Sequence, residues 1–132
     1  MTTNYLNTFI TASPDSRATH GTEPARAESV AGIQYVLLRD APYAFTSDDL
    51  LFEVYARRNN VDASSHDRER EAFFRKSHAC LRASPLVKQY GWGLHHDENG
   101  RVAIHGAETD EYRTLASRSD LKIVAGIRSR KS

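Results

Sequence analysis

The first long apolar segment of the chain fits two kinds of structure. Val30, Ile33 and Leu37 are spaced as they would be on one face of a helix. Ser29 is a suitable N-cap for that helix, and Pro42 would end it. The same segment also contains the uninterrupted run IQYVLL, which is typical of a buried strand. The pattern therefore predicts one regular element here and leaves helix and strand as alternatives.

Start signals predict four further helices. Thr46 or Ser47 can cap a helix whose first turn is acidic, which suits the helix dipole. Ser84 precedes Pro85, a residue favoured at the first helical position, and Gly91 can adopt the left-handed conformation that ends a short helix. The predicted helices run from Thr46 or Ser47 to Asn59, from about Asp67 to Lys76, from Pro85 to Tyr90, and from Thr109 through Ala116.

Alternation of polar and apolar residues predicts strands near both ends of the chain and a hairpin between them. Tyr5–Ala12 mixes aromatic, β-branched and polar residues as strands do. Trp92–His96 and Arg101–His105 flank the turn sequence DENG and form the clearest hairpin. Leu121–Ile127 fits an edge strand or a closing helix. This order of elements predicts the α+β class in a single domain over 1–132.

Residues 13–29 are predicted to be irregular. The segment contains no aliphatic side chain larger than alanine, and it carries two prolines and a glycine. It cannot bury enough apolar surface to order itself, and so long a structureless stretch is unusual inside a domain. We interpret it as a surface excursion, with a lid or docking loop as the functional alternative. A basic tail is predicted at 128–132.

The turn of the hairpin predicts its register. If residues 98–100 form a three-residue loop in which the glycine is left-handed, Leu94 pairs with Ile104 and His96 pairs with Val102. That register collects the apolar side chains on one face. A slip of one residue would exchange the faces and mix apolar with polar side chains, so the apolar register is expected.

The same register places His95 and His105 together on the opposite face of the hairpin. A diagonal cross-strand pair lies about 7 Å apart, within reach of one small ligand. If that face is open, both imidazoles are expected to titrate near their usual range and to influence each other. Arg82 or Trp92 is the expected third wall of such a site. Trp92 and Tyr90 are also candidates for a stacking surface, with a core position of the tryptophan as the alternative.

Cys80 is the candidate reactive thiol. On an extended segment, His78, Cys80 and Arg82 would form one polar stripe, and a neighbouring base could activate the thiol. The alternative is a small buried apolar residue, which is the usual role of a free cysteine. No CxxC, HExxH or glycine-rich loop followed by lysine occurs, so the sequence predicts neither a metal site nor a cofactor.

Composition narrows the class of protein. The 132 residues carry 18 basic and 17 acidic side chains, so no overall field favours nucleic acid or an acidic membrane. A single cysteine cannot form an internal disulfide. No apolar run approaches the ~20 residues of a membrane span, and the N-terminus lacks the features of a signal peptide. We therefore expect a cytoplasmic protein.

Several motifs together resemble one family. NTFI, PYxFTSDDLLFEVYARRN, RxSPLxxxYGWG and DEY are similar to segments of a family of short uncharacterised microbial proteins, which is known only as a domain of unknown function. The resemblance extends over nearly the whole chain and implies one complete domain, but no activity. The closing part of the chain has a weaker similarity to small double-wing DNA-binding-like proteins.

Three functions follow from these observations. The first hypothesis is a non-enzymatic domain that binds a partner protein or small ligand around residues 82–105. The second is a small enzyme that uses Cys80 or the pair formed by His95 and His105. The third is a nucleic-acid-binding protein of the double-wing-like type. The sequence does not specify the ligand or the oligomeric state.

Overall fold

A four-stranded mixed sheet separates two unequal layers of helices. The computed structural model describes residues 2–128, in which five α-helices accompany the sheet. The elements are, in chain order, β1 (Thr8–Thr11), α1 (Val30–Asp40), α2 (Ser47–Arg58), α3 (His66–Phe73), α4 (Pro85–Gln89), β2 (Trp92–His96), β3 (Val102–Gly106), α5 (Asp110–Ala116) and β4 (Lys122–Ala125). The predicted α+β class is confirmed.

The strands lie in the order β3-β2-β1-β4. The pairs β3/β2 and β2/β1 are antiparallel, whereas β4 runs parallel to β1. The closing segment is therefore a strand and not a helix, and it occupies one edge of the sheet. A parallel neighbour requires a crossover connection, and the chain from α1 to α5 makes it.

The larger core lies between the sheet and the helices α1, α2 and α4. Its fully buried side chains come from both layers: Ile10, Leu94 and Val102 from the strands, and Leu38, Leu50 and Leu86 from the helices. A smaller cluster on the other face joins Phe9 to Leu115 of α5. The sheet is thus closed by three helices on one face and by one short helix on the other.

Helix α1 resolves the ambiguity of the first apolar segment. The side chain of Ser29 accepts a hydrogen bond from the N–H of Gly32 at 3.0 Å, as an N-cap does. Ala31, Leu37 and Leu38 are buried against the core. A strand would have pointed adjacent leucines to opposite faces, whereas the helix buries both of them.

The capping signals of α2 and α4 act as predicted. Thr46 accepts from the N–H of Asp49, whose carboxylate accepts from the N–H of Thr46, which completes a capping box. Ser84 accepts from the N–H of Leu86 and donates its hydroxyl to buried Gln34 at 2.6 Å. Local cap chemistry therefore also anchors α4 to α1.

Helix α3 ends three residues before the predicted end at Lys76. None of its residues is buried, because it rests on α2 through aromatic rings and not through an aliphatic face. Phe73 packs on Tyr55 with ring centres 4.9 Å apart, and His66 packs edge-on against Phe52 at 5.5 Å. None of the charged residues of α3 is buried, and the aromatic contacts hold the helix against α2.

The segment 13–29 contains no helix or strand, yet it is tied to the body of the domain. Ser13 donates its N–H to the carbonyl of Val87, and Thr22 donates its N–H to the carbonyl of Tyr90. The indole of Trp92 donates to the carbonyl of Thr22 at 2.8 Å. These bonds fasten the segment over the start of the hairpin, although it has no aliphatic side chain larger than alanine.

Candidate functional site

The hairpin adopts the predicted register. Leu94 pairs with Ile104 and His96 pairs with Val102, and Gly100 has the left-handed φ of 78° that a three-residue loop requires. Because side chains alternate along a strand, Leu94 and its partners face the large core. The other face of the hairpin is left to residues of the opposite parity.

His95 and His105 lie together on that other face. Their ring centres are 6.4 Å apart, in agreement with the diagonal relation expected from the register. His95 is nearly buried, with 8% of its surface exposed, and His105 is half-buried. The sheet therefore presents two imidazoles side by side to whatever covers this face.

A tyrosine from the loop between α1 and α2 joins the two rings. The hydroxyl oxygen of Tyr43 lies 2.7 Å from Nδ1 of His95 and 3.4 Å from Nε2 of His105. Within residues 2–128 it is the one hydrogen-bond partner of both imidazoles. We call Tyr43, His95 and His105 the histidine relay.

Tyr43 holds this position through an unusual backbone conformation. Its φ is +58°, a value uncommon for a bulky residue; the two other non-glycine residues with positive φ in the described chain are asparagines. Its N–H donates to the carbonyl of Val102, and the N–H of Val102 donates to the carbonyl of Phe45. The loop thus pairs with the edge of β3, and this pairing fixes the tyrosine over the imidazoles.

The histidine relay forms the floor of an open groove. Helix α5 and the residues after it provide the walls, and the volume of the groove is about 390 Å³. The wall residues are Asp110, Glu111, Thr114, Leu115 and Arg118. We call this space the relay groove. It combines a polar floor with the apolar side chain of Leu115 and charged groups at its rim.

Burial lowers the pKa of both imidazoles. For His95 the loss of water is the largest cause, and the neighbouring His105 and Arg118 lower the pKa further. For His105 burial also dominates, and the carboxylate of Glu111 opposes it in part. The expectation of ordinary titration was conditional on an open face, and that condition is not met, because α5 and Tyr43 partly cover the face. Both rings are therefore neutral at pH 7.

The tyrosine and the charged rim complete the electrostatics. Burial raises the pKa of Tyr43, Asp97 raises it further, and Arg118 opposes them. Arg118 itself forms a two-pronged ion pair with Asp120, with separations of 2.9 and 2.6 Å. This carboxylate therefore occupies much of the guanidinium at the rim of the groove.

The structure separates the other predicted ligand residues from the imidazole pair. Trp92 faces the opposite side of the sheet and packs against Tyr35, with ring centres 5.6 Å apart. Tyr90 packs against the large core. Arg82 donates to the carbonyl of Ala125 at 2.8 Å, next to the end of β4. The expectation that Arg82 or Trp92 forms the third wall is wrong, since strand parity and this bond direct them elsewhere.

The polar stripe around Cys80 is also absent. Residues 81–83 form a turn of 3-10 helix, so the segment is not extended. His78 stacks on Phe73 with ring centres 3.7 Å apart, and its Nε2 lies 2.6 Å from the carbonyl of that residue. Cys80 is half-buried, and the hydroxyl of Tyr5 donates to its sulfur at 3.1 Å. The partner of the thiol is thus a phenol and not a histidine.

His96 is directed into the large core, on the opposite face of the sheet from His95. It is fully buried, its Nε2 lies 3.2 Å from the hydroxyl of Ser47, and the ring of Tyr5 packs edge-on against it. Burial lowers its pKa to about 4. The two adjacent histidines therefore have separate roles, and the core residue belongs to the packing.

Two classes of site have no structural counterpart in the described part of the chain. Within residues 2–128, no three His, Cys, Asp or Glu side chains converge as metal ligands would. No helix in that range is long and apolar enough to cross a membrane. Most of the predicted basic tail, residues 129–132, lies outside the described residues.

Comparison with protein families agrees with the resemblance seen in the motifs. The model of a family of unknown function, DUF6157, matches residues 1–132. The chain belongs to the DUF6157 family. Comparison with curated proteins and with solved structures gave no match. Membership of DUF6157 implies no activity, and the chemistry of this member has to be derived from its own geometry.

Sequence reasoning found the imidazoles of this DUF6157 member and missed the tyrosine between them. Tyr43 lies 52 residues from His95 along the chain, and no local pattern links them. One signal was present. The motif PYxFTS places a tyrosine directly after a proline and before a capping residue, where a tight and unusual backbone is plausible.

Proposed function

We propose that the relay groove binds a small polar molecule and that the histidine relay recognises it by hydrogen bonds. The observation that supports this proposal is the convergence of two imidazoles and one phenol from three separate segments on one open groove. A groove of about 390 Å³ accommodates a molecule of metabolite size. The side chain of Leu115 offers an apolar wall against which such a molecule can rest.

The backbone of Tyr43 supports a functional reading of the site. A bulky residue held at positive φ costs of order 1–3 kcal/mol, and such strain is concentrated at functional sites. The hydroxyl is not needed to fill the core, because the tyrosine is only half-buried. The strained loop therefore serves the position of the hydroxyl, which joins the imidazoles.

The free nitrogens of the relay are the expected points of contact. Since Tyr43 occupies Nδ1 of His95 and Nε2 of His105, the second nitrogen of each ring remains for a ligand. Among the described residues, neither Nε2 of His95 nor Nδ1 of His105 is a fully buried polar atom without a hydrogen-bond partner. A binding domain is the function that these features support best. A small cytoplasmic enzyme that uses the same pair is the alternative.

Nuclear magnetic resonance of the imidazole carbons provides the test. The protein is screened against a fragment set of amides, alcohols, carboxylates, amines and azoles, and the Cε1–Hε1 signals of all six histidines are followed. We expect at least one class to shift the signals of His95 and His105 together and to leave the exposed His20 unchanged. The variant His105→Gln should lose the effect, and the matched control His20→Gln should retain it.

The result that contradicts the proposal is equally specific. If no fragment class shifts either relay histidine at concentrations that shift free imidazole, the groove does not bind small polar molecules. If shifts occur but persist in His105→Gln, binding takes place elsewhere on the domain.

A further inference from the structure

The hydrogen bonds of the relay restrict the protons of its two rings. A neutral imidazole carries one N–H and one acceptor nitrogen, and a phenol donates one proton. If the hydroxyl of Tyr43 donates to Nδ1 of His95, then His105 satisfies the hydroxyl oxygen best by donating from Nε2. The two rings are then both protonated on Nε2. In the reversed arrangement, both are protonated on Nδ1.

The distances favour the first arrangement. The separation of 2.7 Å between Tyr43 and His95 is typical of a hydroxyl donor, whereas 3.4 Å to His105 is a longer and weaker contact. In this arrangement Nε2 of His95 offers a proton to the groove, and Nδ1 of His105 offers a lone pair. In the reversed arrangement these roles exchange. The relay therefore always presents one donor and one acceptor.

We propose that the relay groove is selective for neutral molecules that carry a hydrogen-bond donor and an acceptor on neighbouring atoms, and that Tyr43 couples the two ends of the site. This inference rests on the proposed function and names its ligand class. The ring centres are 6.4 Å apart, so one small molecule can contact both rings at once. The neutral state of both rings at pH 7 favours an uncharged ligand.

The same coupling allows a proton shift in the ligand. The donor atom of the ligand gives its proton to Nδ1 of His105, and Nε2 of that ring gives its proton to the oxygen of Tyr43. The hydroxyl proton passes to Nδ1 of His95, whose Nε2 proton passes to the acceptor atom of the ligand. Four bonds to hydrogen break and four form, and every ring ends neutral. The ligand is returned with its proton moved from one atom to its neighbour.

Pyrazole and 1-methylpyrazole are the probes that test this inference. Pyrazole has a donor and an acceptor on adjacent nitrogens and is neutral at pH 7, whereas its methyl derivative lacks the donor. We expect pyrazole to bind wild-type protein at least tenfold more tightly, as measured by the shifts of His95 and His105. The variant Tyr43→Phe should reduce this preference to less than threefold. The control Tyr55→Phe, which removes a hydroxyl outside the relay groove, should retain it.

Imidazole nitrogen shifts of the ligand-free wild-type protein give a readout that needs no variant. We expect both relay rings to be protonated on Nε2 above pH 7. Rings protonated on different nitrogens, equal affinity for the two probes, or a preference that survives Tyr43→Phe would each overturn the inference. Absence of binding by both probes also overturns it. The proposed function is decided separately, because it fails only if the wider fragment set leaves the relay histidines unchanged.

Discussion

His95 and His96 are adjacent on β2, yet the sheet places them in opposite environments. His96 is fully buried in the large core beside Ser47, and its pKa falls to about 4. His95 lies in the floor of the relay groove and shares Tyr43 with His105. Both are neutral at pH 7, but a ligand can reach only one of them. Residue type and burial alone therefore do not identify a functional histidine.

The difference arises from what covers each face of the sheet. Three helices seal the face of His96, and a single helix of seven residues covers the face of His95 incompletely. On the sealed face, His96 is therefore part of the packed core, and its hydrogen-bond partner is the hydroxyl of Ser47. Because α5 covers the other face incompletely, a groove remains there, and the imidazoles of His95 and His105 each keep one nitrogen without a partner among residues 2–128.

The largest expected effect concerns the sealed face. Leu94→Ala removes a fully buried side chain and should lower the free energy of unfolding by about 2–5 kcal/mol, because it leaves a cavity. Ile104→Ala should cost less, since Ile104 is only partly buried beside it. Urea denaturation measures both. Equal losses of stability would show that the edge strand β3 is packed as tightly as the inner strand β2.

The stability of the fold should depend on pH through His96, which lies on the sealed face of the sheet. Its pKa is about 4 in the folded protein against 6.5 in the unfolded chain, so the unfolded chain binds the proton first. The contribution to stability is full above about pH 6.5 and is lost as the pH falls towards 4, by roughly 3 kcal/mol in total. In His96→Gln, this part of the pH dependence should disappear from urea denaturation curves. If the free energy of unfolding of this variant changed with pH as it does in the wild-type protein, another group would be responsible for the pH dependence.

The hydroxyl partner of His96 should matter more than an exposed hydroxyl. Ser47→Ala leaves Nε2 of a fully buried imidazole without its bond at 3.2 Å, which should lower the free energy of unfolding by about 1–3 kcal/mol. The exposed Ser119→Ala is the matched control and should change it by less than about 0.5 kcal/mol. Equal values for both variants would mean that water reaches His96.

The smallest expected loss of stability is that of Tyr43→Phe. The tyrosine is half-buried, so water from the groove can replace its hydroxyl, and the loss should stay below about 1 kcal/mol. The nitrogen shifts of His95 should nevertheless change clearly. A loss of stability as large as that of Ser47→Ala, without such a change, would show that Tyr43 serves the fold and not the site.

Local signals determined the elements that need only neighbouring residues. The side chain of Thr46 accepts from an N–H in the first turn of α2, and the side chain of Ser84 does the same for α4. Because these bonds lie within one helical turn, the capping residues can be recognised in the sequence. Gly100 likewise sets the hairpin register through its left-handed turn. That register places His95 beside His105, because successive side chains of a strand point to opposite faces and both histidines fall on the same face.

Tertiary structure decided what those histidines meet. The parallel pairing of β4 with β1, at whose end Arg82 donates to the carbonyl of Ala125, has no local signal. The motif PYxFTS marks the loop of Tyr43 but does not link that residue to the imidazoles. The strand pairing and the position of Tyr43 both depend on contacts between residues far apart in the chain, whose energy becomes available only when the sheet and helices are assembled. The sequence by itself therefore determined the capped helices, the hairpin and the placement of its two imidazoles, and it left helix or strand open at 30–38 and 121–127. The third member of the relay and the groove above it were decided by packing.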